Sequence, residues 1–301
     1  MRSFLLRLSR IATYLGVTLL LLPVQAALVA AKSPLAAAFP RLYHRMCCRI
    51  LGFRIDAKGT LSESHPTLFV VNHVSYVDIT ILGALIKGSF VAKSEVARWP
   101  LFGVLAKLQR TVFIERRVHS AAAQRGELTR RLAAGDDLIL FPEGTSSDGS
   151  RVLPFKSALF SAAEGKTGGA PVVVQPVSLA YVRLNGMPMG RLYRPYFAWY
   201  GDMDMASHLW ELLGFGVAGV SVEFHAPVMA NSFPSRKALS AYCRDVIIDG
   251  VAAALSGRER DGAGSADPGA TKAAQAPSPA RAAVASPVAG AQTCAPAAGK
   301  E

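Results

Sequence analysis

The amino-acid sequence predicts an α/β fold: a mixed, mostly parallel sheet flanked by helices, preceded by an N-terminal membrane-embedded helical hairpin. Three observations support this prediction. Apolar runs typical of buried strands alternate with helical stretches from about Gly52 to Leu255. A 21-residue segment without charge, Ile11–Ala31, precedes that core. Beyond Gly257 the composition changes to Ala, Pro, Gly and Ser with no hydrophobic period.

These observations divide the chain into three regions: membrane-associated helices over residues 1–51, an α/β domain over residues 52–256 and a disordered Ala/Pro-rich tail over residues 257–301. The formal net charge of +12 and the 51% of hydrophobic residues indicate an anionic partner surface. No zinc-finger, helix-turn-helix or RNA-binding signature occurs, which argues against nucleic acid and favours a membrane surface. The four cysteines form no C-x-x-C pair, so we expect a reducing compartment and no structural metal.

The uncharged segment Ile11–Ala31 is about 30 Å long as a helix, roughly the thickness of a bilayer core. Positive charges flank it on both sides, so no charge asymmetry favours a spanning helix, and Pro23 would kink it. A second helix follows with Arg41, Arg45 and Arg49 on one stripe, as in interfacial helices. The pattern favours a kinked hairpin embedded in one leaflet. A single span and a cleaved signal peptide are the alternatives.

The core alternates predicted strands and helices. The helices lie at residues 99–108, 120–134 and 234–255. The proline in VVVQPVSL, Pro176, predicts that its strand is an edge strand or carries a bulge. The predicted strands lie at residues 68–72, 90–93, 111–115, 138–141, 172–179, 197–200 and 221–225.

A histidine and an aspartate stand five positions apart in NHVSYVD, residues 72–78, directly after an apolar strand. The helical spacing of apolar residues after Tyr76 places His73 at a strand-to-helix junction. Open α/β sheets bind ligands at such carboxyl ends of strands. The alternative interpretation is that Ser75 and Asp78 cap the helix and His73 is a hydrogen-bonded core histidine.

Three further stretches end or interrupt predicted strands: RTVFIERR (110–117), LILFPEGTSS (138–147) and VVVQPVSL (172–179). Together with NHVSYVD they could gather a histidine, an acid, cations and a Gly turn at one rim of the sheet. In this order NHVSYVD, VFIER, FPEGTSS and VVVQPV resemble the four conserved blocks of the glycerolipid acyltransferases, the lysophosphatidic acid acyltransferase family. The resemblance covers residues 52–230. Lys93 and the Pro100–Gly103 stretch also resemble elements of that family.

This resemblance implies an O-acyltransferase that makes phosphatidic acid from 1-acyl-sn-glycerol-3-phosphate. His73 would be the general base on the acceptor hydroxyl, and Asp78 would fix the tautomer of its ring. The donor would be acyl-CoA or acyl carrier protein, with no cofactor and no metal. Residues 52–256 would be the acyltransferase domain, facing the cytoplasm at the inner membrane.

The acceptor-binding residues implied by the resemblance are Arg116, Glu143, Gly144, Thr145 and Lys93. The sequence departs from the family pattern at two places: Ser146 stands where much of the family has an arginine, and the glycine that often opens the second block is missing before Phe113. The loss of that cation raises a lyso-ornithine lipid as an alternative acceptor. A thioesterase or lipid hydrolase, with water replacing the acceptor, is a second alternative.

Overall fold

The computed structural model describes residues 3–114, 121–164, 166–167 and 170–257. Two helices precede the sheet, and the others lie between or after its strands. The α-helices are α1 (Phe4–Ala30), α2 (Phe39–Leu51), α3 (Asp78–Leu85), α4 (Phe102–Leu108), α5 (Ala121–Ala133), α6 (Met205–Leu213) and α7 (Arg236–Ser256).

The described residues form eleven β-strands. They are β1 (Phe53–Gly59), β2 (Thr67–Val71), β3 (Ser89–Lys93), β4 (Val112–Ile114), β5 (Leu138–Leu140), β6 (Lys166–Thr167), β7 (Ala170–Pro171), β8 (Val173–Leu184), β9 (Met187–Pro188), β10 (Ala218–Phe224) and β11 (Val228–Met229).

The main sheet has the strand order β1-β10-β8-β2-β5-β3-β4, with β9 and β11 also paired to β8. Strands β8, β2, β5, β3 and β4 run parallel to one another, whereas β10 pairs antiparallel with β8 and β1 runs parallel to β10. The predicted mixed, mostly parallel sheet is therefore confirmed. The carboxyl ends of β2, β5 and β3 share one edge, which is where ligands bind in such sheets, and β8 passes beside it.

Side chains of the buried strands alternate between two hydrophobic clusters, one on each face of the sheet. Phe69 and Val71 of β2 pack with α2, α3 and α6, whereas Leu68 and Val70 pack with α5 and α7. A strand buried on both faces reads as a continuous apolar run, and this explains the LFVV sequence.

Two sequence predictions about strands are wrong. Residues 197–200 form no strand; the segment follows a 3-10 turn at Arg194–Tyr196, and the Trp199 N–H bonds to the Val74 carbonyl at 3.0 Å instead of to a ladder. For Pro176 the edge alternative is wrong, because β8 is a central strand, while the ladder opposite Pro176 is interrupted between β10 and β11. The proline is tolerated because it stands opposite the gap between β10 and β11, where no ladder partner needs its N–H.

The N-terminal helices form the predicted pair, joined by a short turn at Pro34–Ala37, and α1 continues through Pro23. By length and composition α1 could cross a membrane. Its polar residues nevertheless bind the domain. Arg10, 9% exposed, donates to the Leu213, Phe215 and Gly216 carbonyls. Gln25 donates to the Ala36 and Leu108 carbonyls at 2.9 and 2.8 Å.

The opposite side of α1 is apolar and exposed. Its exposed large side chains are Phe4, Leu5, Leu8, Leu15, Leu19, Leu20 and Val24. The α1 helix therefore binds the rest of the protein through its polar residues and leaves an apolar surface exposed. The leaflet-embedded hairpin stays a prediction.

Candidate active site

The candidate active site lies at the carboxyl edge of the parallel strands. His73 follows β2, Glu143 follows the neighbouring β5, and Lys93 ends β3 on the far side of β5. Strand β8, on the other side of β2, extends past the end of β2. The Asn72 side chain ties the two strands beyond that point, since its amide donates to the Leu179 carbonyl at 2.9 Å and accepts from the Leu179 N–H at 2.8 Å.

His73 and Asp78 form a hydrogen-bonded pair, as the sequence predicted. The His73 Nδ1 lies 2.9 Å from the Asp78 Oδ2. An ionised carboxylate can only accept, so Nδ1 carries the proton and Nε2 is left as the basic nitrogen. The His73 side chain is 20% exposed, and its ring stacks on Phe141 with centroids 4.1 Å apart. The imidazole is thus held in one plane with its basic nitrogen available to a substrate.

Asp78 is fully buried, at 0% exposure, and its carboxylate is surrounded by donors. Besides His73, Oδ2 accepts from the backbone N–H groups of Val74 at 2.7 Å and Ser75 at 2.9 Å. The Tyr181 hydroxyl donates to Oδ1 at 2.7 Å. The capping alternative is wrong, because Asp78 binds the loop that precedes α3 and Ser75 makes no side-chain hydrogen bond. A buried carboxylate needs such donors to remain ionised.

Glu143 binds the loop that carries His73. It is 2% exposed, and its two oxygens accept from the His73 N–H at 2.8 Å and the Leu153 N–H at 2.9 Å. Burial raises the pKa of Glu143 to about 7, although the two backbone donors act to lower it. Among the described residues, the hydrogen bonds of the Glu143 side chain are with the backbone N–H groups of His73 and Leu153. Its role in acceptor binding remains a prediction.

The raised pKa of Glu143 predicts a specific pH dependence of stability. Between the ordinary value of 4.5 and about 7 the folded state keeps a proton that the unfolded state releases, so stability falls as the pH rises through this window. At 1.36 kcal/mol per pH unit the full loss is on the order of 3 kcal/mol. We expect Glu143→Gln, which cannot ionise, to lose less stability than the wild type between pH 5 and 8.

The measurement is the melting temperature of each protein at both pH values. Glu127→Gln on α5 is the matched control, since the Glu127 side chain is partly exposed and pairs with Arg130 at 2.7 Å. Equal slopes for wild type and Glu143→Gln would show that the carboxyl does not titrate in this range.

Two of the other predicted acceptor residues, Gly144 and Thr145, directly follow Glu143 in the chain. Gly144 has φ +68°, a conformation that favours glycine, and a Cβ there would meet the Lys156 amine. Thr145 is exposed, and Lys93 is half-buried at the end of β3. Arg116 lies outside the described residues, so its predicted contact with an anionic headgroup stays a prediction.

Ser146 connects the third motif to residues that the sequence did not implicate. Its hydroxyl donates to the Trp199 carbonyl, and the Trp199 N–H donates to the Val74 carbonyl at 3.0 Å. Residue 199 thereby bridges the loops that carry His73 and Glu143. The Trp199 ring lies 5.7 Å from Tyr76 and 6.0 Å from Trp99, edge to face. Ser146 therefore makes a structural hydrogen bond to residue 199 at the position where much of the family has a cation.

A large apolar cavity adjoins the site. It has a volume of about 330 Å³ and lies between α1, α2 and the body of the domain, with Tyr76 of the NHVSYVD loop in its wall. Its lining also includes Ile11 and Leu22 of α1 and Ala92 of β3. Ligand cavities in this size range that are mostly apolar suit hydrocarbon chains. No linear motif marks it, because its walls come from distant segments.

Comparison with known proteins agrees with these motifs. A family model described as acyltransferase matches residues 53–180. The lyso-ornithine lipid O-acyltransferase of Brucella abortus is 44% identical over 83% of this chain and 95% of that protein. The 1-acyl-sn-glycerol-3-phosphate acyltransferase of Neisseria gonorrhoeae is 32% identical over 60% of this chain and 68% of that protein.

A solved structure also matches. The crystal structure of the 1-acyl-sn-glycerophosphate acyltransferase PlsC from Thermotoga maritima superposes with a TM-score of 0.53 and 25% identity, over 72% of this chain and 78% of that one. The fold, the four ordered motifs and the extent of these matches agree, and the chain belongs to the glycerolipid acyltransferase family, whose members transfer acyl chains to lysolipids.

Proposed function

We propose that this protein is a lyso-ornithine lipid O-acyltransferase, which moves an acyl chain from acyl-CoA or acyl carrier protein to the free hydroxyl of the lysolipid. The observation that carries the choice of acceptor is the match to relatives of that name. They are 44% and 40% identical over 95% and 86% of their lengths, against 32% over 68% for the Neisseria phosphate enzyme. The 1-acyl-sn-glycerol-3-phosphate acceptor, which the motifs implied first, is not confirmed.

The His73–Asp78 geometry supports the chemistry of this proposal. The Nε2 atom of His73 takes the proton of the acceptor hydroxyl as that oxygen attacks the thioester carbonyl. Asp78 keeps the proton on Nδ1 and stabilises the imidazolium that forms. The tetrahedral intermediate then collapses, the C–S bond breaks, and the thiolate leaves with the proton from His73. Positioned base catalysis of this kind contributes about 10² to 10⁴ in rate.

The cavity supports the assignment of an acyl substrate. An apolar chain that fills it gains about 0.8 kcal/mol for each buried methylene. Because Tyr76 lies in both the cavity wall and the His73 loop, the reacting end of a chain bound there would be close to the base. The α1 helix contributes part of the cavity wall and also carries the exposed apolar side chains. This arrangement supports attachment to the cytoplasmic face of the inner membrane, where acyl thioesters are available.

Lipid analysis of living cells tests the proposed activity. Cells that accumulate lyso-ornithine lipid should convert it to ornithine lipid when they express the wild-type chain, and should not when they express His73→Ala. The appearance of phosphatidic acid alone, with lyso-ornithine lipid unchanged, would overturn the proposed acceptor. Release of free fatty acid from an acyl thioester without any lysolipid would instead identify a hydrolase.

Ser146→Arg tests how the third motif relates to the acceptor. An arginine restores the cation that much of the family has at this position but loses the hydrogen bond from the Ser146 hydroxyl to the Trp199 carbonyl. We expect kcat/KM for lyso-ornithine lipid to fall at least tenfold, since the larger side chain displaces residue 199 from between the two loops. Ser146→Ala is the control and should lose about fivefold at most, the equivalent of one neutral hydrogen bond of about 1 kcal/mol. An increase in kcat/KM for lyso-ornithine lipid with Ser146→Arg would contradict this interpretation.

A further inference from the structure

Asp78 has a fourth partner that lies outside all the predicted site residues. Tyr181 of β8 is 0% exposed, and its hydroxyl donates to Asp78 Oδ1 at 2.7 Å. The three N–H donors, from His73, Val74 and Ser75, all bind the other oxygen, Oδ2. Among the described residues Tyr181 is therefore the group that holds Oδ1.

Tyr181 has little freedom to move. Its ring stacks on Phe197 with centroids 5.7 Å apart and meets Phe53 edge to face at 6.2 Å. Its backbone belongs to the central strand β8, where it pairs with Val220 of β10. Burial raises the pKa of Tyr181 well above its ordinary value, and the Asp78 charge raises it further, so the hydroxyl keeps its proton and remains a donor. A rigid donor is thus aimed at one oxygen of the carboxylate.

We propose that Tyr181 is a positioning residue for acyl transfer, because its hydroxyl fixes the rotation of the Asp78 carboxylate so that Oδ2 faces His73 Nδ1. The inference rests on the proposed function, in which the His73–Asp78 pair is the base. A carboxylate that rotates freely about the Cβ–Cγ bond would hold the imidazole less firmly in the orientation that directs Nε2 at the acceptor hydroxyl. Tyr181 acts through Asp78 and touches no substrate.

The direct test is Tyr181→Phe, which removes the oxygen and keeps the ring. We expect kcat to fall at least tenfold while KM for donor and acceptor stays within twofold, because the substrates do not contact this side chain. Tyr242→Phe is the matched control, since Tyr242 is a half-buried tyrosine on α7 whose ring contacts Phe233. It should leave both constants unchanged. An unchanged kcat in folded Tyr181→Phe, or a raised KM as the main effect, would overturn the proposal.

A double-mutant cycle separates positioning from a general effect on packing. In an Asp78→Asn background the His73–Asp78 pair is already disrupted, so adding Tyr181→Phe should change the remaining kcat by less than twofold. If Tyr181→Phe alone does not fold, the double variant can still be compared with Asp78→Asn. Asparagine carries no charge, so the double variant leaves no buried carboxylate without its donor. A tenfold further loss in the Asn background would overturn the proposal.

The outcomes also separate this inference from the proposed function. Full activity of Asp78→Asn would refute the His73–Asp78 mechanism itself. An inactive Asp78→Asn with a fully active Tyr181→Phe would refute only the role of Tyr181. Each assay uses the acceptor that the wild-type enzyme acylates fastest, so an error in the acceptor does not affect the comparison.

Discussion

Replacement of His73 by alanine is expected to lower kcat for acyl transfer by two to four orders of magnitude, the usual contribution of a positioned base. An acceptor hydroxyl is a poor nucleophile at neutral pH unless a base removes its proton during the attack. The His73 ring is one-fifth exposed and its Nδ1 atom is bound to Asp78, so truncation removes the basic nitrogen without opening the core. The measurement is the steady-state rate of ester formation by purified protein.

His65→Ala is the matched control. His65 is exposed, binds Asp137 and lies at the opposite end of β2 from His73, so its loss should leave kcat unchanged. Far-UV circular dichroism should be the same for both variants and the wild type. Near-normal turnover by folded His73→Ala would show that another group removes the hydroxyl proton.

A phenylalanine at Ala92 is expected to shift acyl-donor preference toward shorter chains. Ala92 lies in the wall of the apolar cavity, so a ring at this position occupies part of its volume of about 330 Å³. If the ring displaces three methylenes of a long chain, the lost burial costs about 2.4 kcal/mol, or roughly 50-fold in kcat/KM. Donors short enough to avoid the ring should react at nearly the wild-type rate.

The chain-length profile measured with a series of acyl thioesters checks this expectation. Val104→Phe provides the control, because Val104 is on the adjoining helix α4 but is exposed and does not line the cavity. Its profile should match that of the wild type. The same profile for Ala92→Phe as for the wild type would mean that the acyl chain binds elsewhere.

The sequence predicted the parts of the site that depend on local order. The LFVV run defined β2, and the five-residue spacing placed His73 and Asp78 at the two ends of one loop. Four motifs at predicted strand ends were enough to place them at one sheet edge, because the ends of parallel strands coincide. The structure confirms this for the motifs after β2 and β5, whereas the fourth motif lies in the first half of β8, where Val177 pairs with Val71 at the end of β2.

The features that sequence reasoning missed depend on pairing between distant segments. Tyr181 reaches Asp78 because β8 continues beyond Val177, the partner of Val71 at the end of β2, and Tyr181 is the fourth residue past that point. The predicted strand ended at Leu179, two residues before Tyr181. Pro176 was assigned to an edge or a bulge because the break between β10 and β11 that accommodates it lies in another segment of the chain. Trp199 was placed in a strand because its apolar neighbours resemble one.

The polar residues of α1 carried a signal that could have been used. Arg10, Thr18 and Gln25 recur at intervals of eight and seven residues, which places them on one helical face. Polar residues aligned in this way on a long apolar helix indicate a bound face, and the structure shows Arg10 and Gln25 each donating to carbonyls of the domain.

The acceptor is the central claim, and a competition experiment tests it most directly. Purified enzyme is given equal amounts of lyso-ornithine lipid and 1-acyl-sn-glycerol-3-phosphate in the same mixed micelles, with one labelled acyl thioester. The ratio of the two labelled products equals the ratio of kcat/KM for the two acceptors. The proposed function predicts at least a tenfold excess of ornithine lipid. An excess of phosphatidic acid would contradict it and restore the phosphate-bearing acceptor that the four motifs implied.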